Sequence, residues 1–207
     1  MKKAVGALGL FIPVIALLAA FHFWGEWARQ REWWWVAGDK EGMTFLDMLS
    51  AKDGKGHILS TYTAKRSDGV AADEFAIQWD CKSRKVSWGD FWTLDDDMLQ
   101  LDRKPSPKDM SEWHVAESTN EKRVIAIACS TIEQRAKMQT LLVERPPIEV
   151  TRLAMKLVGS GIKPPDALIL ASYSPDNDRV GYERILSRAT NERDRPLVRT
   201  MVGAPND

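Results

Sequence analysis

Two cysteines, Cys81 and Cys129, constrain this chain more than any other feature. Each ends an apolar stretch: Phe75-Ala76-Ile77-Gln78-Trp79-Asp80 before Cys81, and Val124-Ile125-Ala126-Ile127-Ala128 before Cys129. We read them as one disulfide closing a small exported domain; the competing reading is two free buried thiols. Structural disulfides belong to oxidising compartments. A loop of this length contributes about 4 kcal/mol on chain-entropy grounds. The spacing is far too wide for a Cys-x-x-Cys redox motif.

The start of the chain points to the same compartment. Lys2-Lys3 precedes a run from Ala4 to Trp24 that holds no Asp, Glu, Lys or Arg. That run is about 20 residues, roughly what a bilayer-spanning helix needs. Two readings stand for residues 1–28, an uncleaved signal-anchor and a cleaved signal peptide. A cut after Ala20 puts Leu18 at −3, where small residues are required, so the anchor is favoured. Pro13 is tolerated in a spanning helix. Trp24, Trp27 and Trp33–Trp35 read as an interfacial aromatic belt leading into the folded domain. The membrane, reached through this helix, is the first expected partner. The bulk of the chain is expected in the periplasm, inner-membrane anchored, or exported after cleavage.

Between residues 33 and 142 the pattern is one of short strands. Trp33–Val36, His57–Lys65, Glu74–Cys81 and Lys85–Leu94 read as strands and Met43–Met48 as a second short apolar segment; Gly38-Asp39-Lys40, Asp53-Gly54-Lys55-Gly56 and Ser67-Asp68-Gly69 are the turn signals among them. Phe75, Ile77 and Trp79 alternate, and Cys81 shares their face if the register holds. Gly89 marks a bulge. Residues 102–109 read as a loop and Glu112–Ala116 as a last strand. Ser118 or Thr119 reads as a helix N-cap, Ser118 having capping-box spacing to Glu121, and Val124, Ile125, Ala128 and Ile132 continue a helical stripe up to Arg145-Pro146-Pro147. The fold class is therefore α+β: a small antiparallel sheet with a disulfide-pinned helix. Residues 146–207 read as a helical extension. Ile148–Val158 is amphipathic, Ala167–Ala171 is a helix turn or strand, Gly181–Ala189 is a marginal helix, and the tail is disordered.

The order of these features resembles the surface-adhesin protein E family. The resemblance rests on Trp33–Val36, Gln78-Trp79-Asp80-Cys81-Lys82, Trp113-His114-Val115, Ser118 and Ala128-Cys129, within residues 33–135. It implies a small antiparallel sheet with a helix pinned by a disulfide. It also implies export and, in the founding members, attachment to host matrix proteins. The chain departs from that pattern in lacking a lipoprotein cysteine and in carrying the C-terminal extension.

No residue is assigned a catalytic or metal-binding role, and no cofactor is expected. His22, His57 and His114 lack zinc-ligand spacing. Asp95-Asp96-Asp97 with Asp102 lacks the glycine and bidentate Glu of a calcium loop. Gly159-Ser160-Gly161 is a helix stop and not a phosphate loop. Lys plus Arg equals Asp plus Glu at 29 each, which argues against a nucleic-acid partner. Nine tryptophans are many for this length. Trp88 and Trp92 are the candidate binding surface for a protein ligand outside the cytoplasm, with the core as their other option. The reading is a non-enzymatic envelope module that binds or supports. The alternatives are an envelope enzyme, with His57, His114 and Asp95–Asp97 in one cleft, and a membrane-held scaffold.

Overall fold

Hydrophobic alternation builds a single antiparallel sheet. The computed structural model describes residues 31–48, 54–64, 66–138, 140–175 and 179–202. The apolar run, His22, Trp24, Trp27 and the last five residues lie outside them. Among the described residues no helix is long and apolar enough to cross a membrane.

Six strands form a meander: β1 (Trp33–Gly38), β2 (Gly42–Asp47), β3 (Lys55–Tyr62), β4 (Ala72–Asp80), β5 (Lys85–Leu94) and β6 (Gln100–Lys104). A two-residue strand, β7 (His114–Val115), pairs with the other end of β5. Another, β8 (Leu141–Leu142), adds to the far edge beside β1. The turns are side-chain driven. Asp39 accepts the backbone N–H groups of Glu41 and Gly42 at 2.7 and 3.2 Å. Asp80 accepts Lys82 N–H at 2.9 Å and the Ser83 hydroxyl at 2.6 Å. Both are turns in which Asp satisfies the backbone it bends. Gly56 is required by packing, since a Cβ there would stand 2.7 Å from the Trp79 ring.

Seven helices occur among the described residues: α1 (Lys108–Ser111), α2 (Thr119–Ala128), α3 (Ile132–Ala136), α4 (Pro147–Gly159), α5 (Pro164–Ser172), α6 (Arg179–Ala189) and α7 (Arg195–Val202). Helix α2 covers one face of the sheet. Its Val124, Ile125 and Ile127 meet Val36, Leu46, Ile58, Ile77, Trp79 and Val86. Helices α4–α7 cover the other face. There Val150, Leu157, Leu170, Leu186 and Val198 close over Phe45, Leu59 and Leu94. The sheet is thus sandwiched between two helical layers, as a sheet with apolar side chains on both faces requires.

Several expectations are corrected. The C-terminal helices share a core with the sheet and do not trail from it. Residues 195–202 form α7, with Val198 and Val202 buried, where the polar composition suggested a disordered tail. The helix after Ser118 ends at Cys129 instead of running to the Arg-Pro-Pro stop. Ser130 N–H and hydroxyl turn back onto the Ile127 carbonyl, and Thr131 with Gln134 caps a new helix. Residues 100–104 form a strand, exposed throughout, so no apolar pattern marks it. Trp33–Trp35 are spent on the fold in β1: Trp33 is buried in the α4–α7 core and Trp34 packs against the α2 core.

Candidate functional site

The disulfide exists between Cys81, one residue beyond β4, and Cys129, the C-cap of α2. Their Cα atoms are 5.6 Å apart, within the usual range. It pins the C-terminal end of α2 to the β4–β5 hairpin. At that hairpin Arg84 has φ 56°, a left-handed conformation that usually falls to glycine.

Trp88 and Trp92 do not form one surface. Their spacing places both on the same side of an even strand, but Gly89 and Asp90 together stand opposite Ala76. This bulge, at the glycine the sequence marked, turns Trp92 to the other face. Trp88 lies on the α2 face and donates its indole N–H to Glu121 at 2.9 Å. Trp92 lies on the α4–α7 face beside His57, ring centroids 5.8 Å apart, with the Arg103 guanidinium over it. Both are half-buried and built into the packing.

The α2 face holds the densest polar cluster. Glu121, only 9% exposed, accepts hydrogen bonds from the Trp88 indole, His114 Nε2 at 3.1 Å, the backbone N–H groups of Glu117 and Ser118, and the Ser118 hydroxyl. Burial opposes the charge, but these donors outweigh it and hold the pKa at about 2. The Glu112 carbonyl, 3.0 Å from His114 Nδ1, and then Glu121 raise the pKa of His114. A carbonyl and a carboxylate both only accept, so the doubly protonated ring satisfies both. The signal for Glu121 was its capping-box spacing; its role as hub was not readable from it.

On the other face His57 Nδ1 lies 2.8 Å from Glu74 Oε1. The two histidines are therefore separated by the sheet. Asp95 is a turn residue, accepting Asp97 and Leu99 N–H groups at 2.9 and 2.8 Å. Asp96 pairs with Arg152 of α4. The cleft that would gather His57, His114 and Asp95–Asp97 is not formed. Among the described residues no three His, Cys, Asp or Glu side chains converge on a cation position.

Two grooves remain. One, about 750 Å³, lies between the β1 and β8 edge and helices α4 and α5, lined by Trp35, Met43, Leu141, Met155, Val158 and Leu168, with Asp39 and Lys40 at its mouth. The other, about 760 Å³, surrounds the disulfide. Its apolar lining is Val115, Ala116, Ile125, Ala126 and Met138. Its charged lining is Arg84, Lys122 and Lys137, with no carboxylate among the lining residues. Those cations come from a hairpin, α2 and the end of α3, so sequence spacing could not group them.

No family model, curated protein or solved structure matches this chain.

Proposed function

We propose that the chain is a non-enzymatic envelope module, exported and held at the membrane by its N-terminal apolar segment, that binds a ligand outside the cytoplasm in the manner of a surface adhesin. The observation that carries this reading is the Cys81–Cys129 disulfide, which joins α2 to the β4–β5 hairpin. Such a link persists where thiols are not kept reduced. The charge-free run from Ala4 to Trp24 agrees with it. The histidines and the acidic run that an enzyme reading needs together lie apart, each engaged in local contacts. Two pre-formed grooves fit a binding role.

Thiol accessibility tests it. In intact cells and in lysates, neither cysteine should react with a maleimide until a reductant is added, and the chain should run faster on a non-reducing gel. Labelling of both cysteines without reductant overturns the exported placement.

A further inference from the structure

We propose that the groove around the disulfide is a seat for an anionic phospholipid of the bilayer, with an acyl chain in the apolar trough and the phosphate among Arg84, Lys122 and Lys137. The proposal rests on the tethered reading only for the source of the lipid.

Charge and hydrogen bonding argue for it together. All three cations are exposed, and among the described residues the ion pairs involve none of them. Arg84 occupies a left-handed hairpin position, where glycine is the ordinary choice. The trough beneath is apolar: Val115 is 54% exposed and stands in its wall. A like-charged rim over an apolar floor fits an amphiphile with an anionic head.

A peptide fits less well, because the backbone it brings must be hydrogen-bonded. The polar groups at the groove are largely spent. The Ser130 hydroxyl donates to Ile127 O, Gln134 Oε1 accepts Thr131 N–H, and Arg84 O accepts Ala116 N–H. An acyl chain asks for none of them. The groove beside β1 and β8 lacks this single-sign charge, since Asp39 and Lys40 both line it.

The test uses the purified, oxidised full chain in a flotation assay. Vesicles of phosphatidylcholine alone are compared with vesicles that also carry phosphatidylglycerol. An N-terminal segment that inserts into lipid does so in both, so the ratio reads the groove. Each basic residue near an anionic surface is worth about 1 kcal/mol, so the combined Arg84→Gln, Lys122→Gln and Lys137→Gln variant should lose roughly 100-fold of the preference. Ala126→Trp, which fills the trough without changing charge, should lose most of it. Lys40→Gln at the other groove should change it little. An intact disulfide in each variant, read by mass before and after reduction, verifies the fold.

Equal binding to both vesicle types overturns the proposal. So does an unchanged preference in the triple variant, or in Ala126→Trp, which would mean adsorption of charge alone. Binding of dispersed dodecyl phosphate without binding of vesicles overturns the bilayer source, and saturable binding of a polyglutamate peptide in place of vesicles overturns the lipid. The thiol experiment in cells fails or succeeds independently of these outcomes.

Discussion

Glu121 illustrates how one side chain can join a helix cap to a sheet. It is buried, charged and met by donors from β5, β7 and the α2 N-terminus. Its pKa is held near 2, against 4.5 ordinarily. A depressed carboxylate contributes stability that is fully present above its unfolded value and is lost as pH falls from about 4.5 through 2. The shift corresponds to about 3 kcal/mol. Glu121→Gln should therefore lower the unfolding free energy at pH 7 by that order, measured in urea. The gap from the unsubstituted protein should narrow as pH falls across that window. His114 has the opposite sign. Its raised pKa gives stability that is present below the ordinary histidine value near 6.5 and lost as pH rises through the raised one. His114→Phe should cost more at pH 5 than at pH 9. A second residue-scale test is Gly56→Ala. Its Cβ would press on the flat Trp79 ring inside a packed core. Overpacking of this kind costs about 1–3 kcal/mol, read as a fall in the denaturation midpoint.

At the scale of elements, the disulfide and the last helix are the informative cases. The link spans 48 residues, and a loop of that length is worth about 4 kcal/mol in the chain-entropy account. Replacing both cysteines with serine should lower stability by up to that amount, measured by denaturation at matched pH. Helix α7 is short and rich in arginine, yet Val198 and Val202 are each 1% exposed. Arg145 donates to the Val202 carbonyl at 2.7 Å and ties the helix to the start of α4. Burying each valine is worth about 1.5 kcal/mol or more. A chain ending at residue 194 should therefore lose about 3 kcal/mol, where a disordered tail would be removed without effect. Two elements leave little trace in the local sequence. Two valines at i and i+4 are a weak periodic signal inside a polar segment. Strand β6 has none at all, because it lies at an exposed sheet edge and is held by backbone pairing to Phe91–Leu94.

At the scale of the whole molecule, the sheet has two buried faces and each has its own core. The second helical layer changes what residues 146–207 are. Their described helices, α4–α7, cover one of the sheet's two faces. The amphipathic stripe of Ile148–Val158 announced a helix, and α4 spans Pro147–Gly159. Its destination was not legible, because an apolar stripe states only that it must be buried. The same limit applied to Trp88 and Trp92. Counting residues put them on one face, and a single extra residue at Gly89–Asp90 put them on two.

The sequence by itself indicated an antiparallel sheet with its strands before residue 95, the turn at Asp39 and the Ser118–Glu121 cap, and it favoured the pairing of its two cysteines. Each of these depends on neighbours within a few residues or, for the disulfide, on the absence of any other partner. Only the tertiary structure decided that α4–α7 form the second layer, that Glu121 is a buried hub, and that Arg84, Lys122 and Lys137 ring one groove. Those outcomes depend on which distant segments meet. Side-chain packing and sheet register set such meetings, and local pattern does not encode them.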